Sequence, residues 1–169
     1  MTNPVYRQVV ELVLEAAKLA RTAGIENILQ PGLVKEMIMA DILGHQVILT
    51  KRDADACDSE DSSILYEYLS CKEGGSGQFD RMFKEPAQKR LESLNRIRRN
   101  SKVYFAVFYS QEQTKVKSIY ELEINDVVSE TERQLDRSSN AISHVGFGEP
   151  WVQRTGRVIY QDPDLGTMT

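Results

Sequence analysis

Residues 53–72 read DADACDSEDSSILYEYLSCK, a carboxylate-rich turn running straight into an apolar and aromatic segment. Ile64 to Cys71 has the β-branched and aromatic content of a strand, and His45 to Thr50 reads as a short buried strand before it. Asp and Ser dominate the segment between them, as expected of a turn, so the carboxylates fall near a strand end. Ala54 to Asp58 is short enough to form a middle strand. Hydrolysis of a phosphodiester needs oxygen ligands for a divalent metal, and a cation to steady the attacking water or the charge on the phosphorane. Asp55, Glu67 and Lys72 supply those three kinds of group.

DADACD followed by YEYLSCK resembles the Asp-Ala…Tyr-Glu-x-Lys-Ser pattern of the PD-(D/E)xK nucleases, particularly the small PvuII-like type II restriction endonucleases. The chemical part of the resemblance is a motif of about twenty residues, and such degenerate motifs are moderately specific. It implies a restriction-endonuclease-like α/β core, a central mixed β-sheet flanked by helices. It also implies Mg²⁺-dependent cleavage of double-stranded DNA, with Mn²⁺ able to substitute, by a homodimer accompanied by a cognate DNA methyltransferase. Asp55 and Glu67 would hold metal and Lys72 would orient or help deprotonate the nucleophile. A repair nuclease of the same fold, such as a junction resolvase, fits the same site. A DNA-binding protein that has lost catalysis on that fold is the reading from a different class.

The chain departs from the pattern at one position: Glu67-Tyr68-Leu69 carries leucine where the family's strand has lysine. Alternate strand residues share a face, so Glu67 points with Leu69 and Cys71 while Lys72 points with Tyr68 and Ser70. Two repairs are open. A bulge between Glu67 and Lys72 would bring both to one side. Alternatively the strand is regular, Ser70 and Lys72 share the active face, and the carboxylate comes from Glu85; Ser70-Cys71-Lys72 is similar to a Ser-x-Lys variant of the family. Asp58 is the nearby substitute for Asp55, and Glu36 in the second helix is a further candidate ligand, since several branches of the superfamily bring a glutamate from this helix to the metal.

A net charge of −4 argues against a nucleic-acid binder until its distribution is considered. From Asp53 to Glu73 there are seven acids and one base, and from Arg81 to Lys102 eight bases and two acids. An acidic pocket beside a basic arm fits metal binding beside phosphate binding. Gln78, Asp80, Arg81, Lys84, Lys89, Arg90 and Arg96 are the DNA-contacting candidates. Among them Gln78 and Arg81 suit bidentate contacts to adenine and guanine. Cys57 and Cys71 are too few for a disulfide framework and lack zinc spacing. The sequence has no apolar run of about 18 residues and no secretory pattern, which predicts a cytoplasmic protein with no membrane contact.

The remaining elements frame one domain over residues 1–169, with a catalytic core at 33–122 and a DNA-recognition arm at 78–102. Asn3 and Pro4 open a helix running to about Ala23, which in the resembling enzymes contributes to a dimer interface. Leu33 to Leu43 forms a second helix between Gly32 and Gly44. Gly74 to Gly77 reads as a flexible connector and does not match a P-loop. A basic helix follows from Pro86 to about Asn100, then strands at Lys102–Tyr109 and Val116–Leu122, and a helix capped by Asn125. His45 reads as a strand-edge residue. Trp151 suits either an interface or the closing of the core, and residues 143–169 suggest no chemistry beyond a short final strand.

Overall fold

The computed structural model describes residues 3–50 and 54–165; Asp53, the first acid of the turn, lies outside the described residues. A mixed six-stranded sheet occupies the centre, with strands β1 (Gln46–Val47), β2 (Ala56–Cys57), β3 (Leu65–Lys72), β5 (Lys102–Phe108), β6 (Val116–Leu122) and β8 (Arg157–Gln161) in that spatial order. Strand β4 (Ser76–Phe83) pairs with β7 (Ile142–Gly148) in a separate two-stranded sheet. The helices are α1 (Pro4–Thr22), α2 (Leu33–Leu43), α3 (Ala87–Arg98), α4 (Ile124–Arg137) and α5 (Glu149–Thr155).

β1, β2 and β3 form an antiparallel meander, and β3 then pairs in parallel with β5. A parallel pair needs a long crossover, and α3 lies within it. β5, KVYFAVF, is apolar on both faces because both are covered. Val103, Phe105 and Val107 pack with Leu94 and Ile97 of α3, Val127 and Leu135 of α4, and Phe79 and Phe147 of the small sheet. Tyr104, Ala106 and Phe108 face the other way, onto Met39 and Ala40 of α2.

Local chemistry sets most element ends. The Asn3 side chain accepts from Val5 N at 2.9 Å at the start of α1. α2 ends at Gly44, which is left-handed at φ 71°. α4 begins one residue before Asn125, at Ile124, so Asn125 is not its cap; Glu123 holds the capping position while its side chain pairs with Lys102.

Several sequence expectations change in the structure. His45–Thr50 yields only the two-residue β1. Gly74–Gly77 is not a loose linker: a tight turn ends at Gly75, and Ser76 already belongs to β4. Gln78, Asp80 and Arg81, expected just ahead of a helix, therefore lie on a strand. β7 and α5 had no periodic signal to mark them, and Trp151 of α5 packs on Phe147 at 5.1 Å, closing the core. β4 crosses close over the central sheet at Gly77, where a Cβ would come within 2.9 Å of Phe105 Cε2 and 3.2 Å of Leu69 Cβ. Gly77→Ala is expected to destabilise the fold by roughly 1–3 kcal/mol, the usual cost of overpacking, read as a lowered midpoint in urea.

Candidate active site

The site is built where the short β1–β2 edge meets β3. Ala56 is opposite Tyr66 and Cys57 opposite Leu65, so the same register carried back one residue sets Asp55 across from Glu67. Cross-strand partners share a face, which brings the two carboxylates together. Asp55 is fixed at both ends: its Oδ2 accepts from Tyr68 N at 2.8 Å and its carbonyl accepts from Ile48 N at 2.9 Å. Glu36 approaches from the first turn of α2, and Glu36 and Asp55 share the wall of a 480 Å³ cavity that Ile25, Asn27, Gln30 and Leu49 also line.

These three carboxylates perturb one another. Glu67 has its proton affinity pushed up to about 8, mainly by burial and then by Asp55, with Glu36 adding to the effect. Glu36 is pushed up to about 7 by burial and by Asp55. Burial also raises Asp55, against the Tyr68 N–H and the Arg99 and Arg96 guanidiniums, which favour its charged form. The same two arginines oppose the shift at Glu67. Partly buried like charges of this kind are a common mark of functional sites.

The other sequence candidates are dispersed. β3 runs alongside β5 with unbroken register from Tyr66 to Lys72, so it contains no bulge between Glu67 and Lys72. The bulge repair is therefore excluded. Lys72 is exposed, on the opposite face from Glu67 and about 16 Å along the strand at ~3.3 Å per residue. Leu69, in the lysine position, is buried in the core. Ser70 points with Lys72. Glu85 precedes α3 at the end opposite Arg96 and Arg99, a helix length of roughly 18 Å away at 1.5 Å per residue. The second repair, which needs Glu85 beside Ser70 and Lys72, is not formed either. Asp58 is spent on its own turn, where it accepts from the Glu60 and Asp61 amides and from Tyr66 Oη at 3.2 Å.

Much of the basic arm is structural. Arg90 pairs with Asp136 of α4 at 2.9 Å, Arg98 reaches Glu132 at 4.0 Å, and Lys84 Nζ donates to the Ser138 carbonyl at 2.7 Å. Lys89 lies over the Phe83 ring. Gln78, Asp80 and Arg81 remain exposed on β4, where the register with β7 shifts between Phe79 and Met82. Arg81 is left-handed there, with φ 54°. Asp80 pairs with His144 Nδ1 on β7 at 2.8 Å, a partner hidden from sequence because it lies 64 positions further along the chain. His45 immediately precedes the edge strand β1; it stacks on Tyr66 at 4.2 Å and hydrogen-bonds Tyr68 Oη at 2.8 Å. Arg99 escaped the sequence reading, although its i, i+3 spacing from Arg96 puts both on one helix face.

Among the described residues no three His, Cys, Asp or Glu side chains form a ready-made metal ligand set. The donor chemistry nevertheless suits Mg²⁺, which is usually held by one or two carboxylates together with waters and substrate phosphates rather than by a complete protein cage. Asp55 and Glu67 are such a pair, with Glu36 as an outer acceptor. No family model matches the chain, and a search of curated proteins finds no match.

Proposed function

We propose that the protein is a Mg²⁺-dependent DNA endonuclease, most simply a type II restriction enzyme acting on intracellular duplex DNA beside a cognate methyltransferase. The observation that carries the reading is the cross-strand Asp55–Glu67 pair with Glu36 behind it. Partly buried carboxylates whose mutual repulsion raises their proton affinities are relieved by a hard divalent cation. Support also comes from the arrangement around them: a helix bearing Glu36, an antiparallel meander bearing Asp55 and Glu67, then a helix and a parallel strand. That order agrees with the restriction-endonuclease-like core implied by the motif. A bound Mg²⁺ would polarise the scissile phosphate and acidify a water. Asp55 and Glu67 would hold it, with the Tyr68 amide fixing the orientation of the Asp55 carboxylate. Incubation with plasmid and phage DNA tests the proposal: discrete fragments that disappear with EDTA are expected, and uncut DNA across many substrates with Mg²⁺ and Mn²⁺ would sink it. Preference for branched over linear duplex would turn the reading towards repair.

A second reading has its own observation. Leu69 is a core residue, so the lysine of the family pattern is missing from its position, as in a protein that binds DNA without cutting it. Tight sequence-specific binding in Ca²⁺ with no cleavage in Mg²⁺ or Mn²⁺ would favour it.

The homodimer belongs to the same proposal. Eight large apolar side chains of α1, from Val5 to Leu19, are 41–71% exposed, and only Ala20 of that helix is buried. They amount to a surface on the order of 800 Å², about what each partner of a stable pair buries and more than a monomer usually leaves bare. Val5, Val9, Leu12, Ala16 and Leu19 recur every three or four residues, the spacing of a helix-pairing seam. No helix among the described residues is long and apolar enough to cross a membrane. A dimer mass by light scattering is expected at micromolar concentration, with Leu12→Asp converting it to monomer; a monomeric wild type with and without DNA would count against it.

A further inference from the structure

We infer that the cation facing the scissile phosphate comes from the last turn of α3, through Arg96 with Arg99 beside it, rather than from a lysine of β3; this rests on the nuclease reading above. The first ground is facing. Glu67 shares its side of β3 with Leu69 and Cys71, and on that side the sheet is covered by α3 through Leu94 and Ile97. Lys72 shares the opposite side with Tyr66 and Tyr68, which pack towards α2.

The second ground is position along the strand. Ser101 N donates to Leu65 O at 2.8 Å, and Val103 is opposite Glu67 in the β3–β5 register. The chain leaving α3 is thus tied to β3 two residues from Glu67, which brings the C-terminal turn of the helix to the carboxylate end of the site. The turn itself is held: buried Asn100 donates its Nδ2 to the Arg96 carbonyl at 2.9 Å and to the Ile97 carbonyl at 3.2 Å.

The third ground is elimination. Of the eight bases from Arg81 to Lys102, Lys84, Arg90 and Arg98 are engaged with α4, Lys102 pairs with Glu121 and Glu123, Lys89 lies over the Phe83 ring, and Arg81 stands on β4 in the separate two-stranded sheet. Arg96 is exposed and carries no ion pair among the described residues, and Arg99 is exposed beside it.

A guanidinium suits the task as a charge and not as a base. It stays protonated and presents a planar pair of donors to two phosphate oxygens. It therefore neutralises charge developing on the phosphate and moves no proton.

Single-turnover cleavage of a plasmid substrate by the full chain tests the inference, with DNA binding in Ca²⁺ measured alongside. Arg96→Ala is expected to cut about 10²-fold more slowly, the usual loss on removing one charge-stabilising donor, with Ca²⁺-supported binding changed only a few-fold. Arg96→Lys should recover part of the rate, and added guanidinium ion should partly rescue Arg96→Ala but not Asp55→Ala. Lys72→Ala should lose far less than Arg96→Ala. If the wild type cuts and both Arg96→Ala and Arg99→Ala cut within a few-fold of it, or if Lys72→Ala alone is dead, the inference is overturned and the nuclease reading stands. A wild type that cuts no DNA in Mg²⁺ or Mn²⁺ overturns both.

Discussion

Asp55→Asn is expected to slow Mg²⁺-dependent DNA cleavage by roughly 10²–10³-fold or more, at least the effect of deleting one preorganised electrostatic group. The substitution isolates charge from shape. Asparagine keeps an oxygen able to accept from Tyr68 N, the 2.8 Å contact that seats the side chain, while removing the negative charge that a divalent cation needs. The loss of activity should come with a gain in stability. Asp55 raises the proton affinities of both Glu36 and Glu67, so neutralising it relieves repulsion that the folded state otherwise carries. Active sites commonly trade stability for charge in this way. Cleavage rates and urea midpoints on the same two proteins check the pair of effects. Asp55→Ala should be equally inactive, and an Asp55→Ala enzyme with the wild-type rate would remove the foundation of the nuclease reading. Glu67→Gln should also be severely impaired and Glu85→Gln nearly unaffected, because Glu85 lies at the far end of α3 from the carboxylate pair.

The second large effect is on stability against pH in the metal-free protein. The folded value of Glu67 lies near 8 and that of Glu36 near 7, both above the ordinary 4.5. Between pH 4.5 and these values the folded state holds protons that the unfolded chain releases. The contribution is thus fully present below about pH 4.5 and is lost as pH rises towards 8, the reverse of a salt-bridged carboxylate. For Glu67 the loss across that window is on the order of 2–4 kcal/mol, allowing for its partial exposure. Glu67→Gln should flatten the profile, and saturating Mg²⁺ at pH 8 should restore about 3 kcal/mol at a hundredfold excess over its dissociation constant. Thermal or urea unfolding from pH 5 to 8 measures all three; a flat wild-type profile, or one that rises with pH, would contradict the buried carboxylate cluster.

Local chemistry made much of this protein legible from sequence. Asn3-Pro4 opens α1, Gly32 and Gly44 bracket α2, and the all-apolar KVYFAVF is a strand covered on both faces. Asp55 and Glu67 stood out through the motif they resemble, but their cross-strand pairing comes from the register of β2 on β3, which the sequence alone does not set. What sequence could not supply is which long-range partners claim each side chain. Arg90, Arg98 and Lys84 look like a phosphate-binding arm until Asp136 and Glu132 of the much later α4, and Ser138 just past its end, take them. Asp80 meets His144 only because β7 returns to β4. The alternation of β3 gave the opposed facing of Glu67 and Lys72, but whether a bulge cancels that opposition depends on the partner strand, and β5 holds β3 in unbroken register. Periodicity is a property of a segment and can be read from it. Which face meets which helix is decided by burial of the whole chain, and that alone sets the end of α3 carrying Arg96 and Arg99, rather than Lys72, beside the carboxylates.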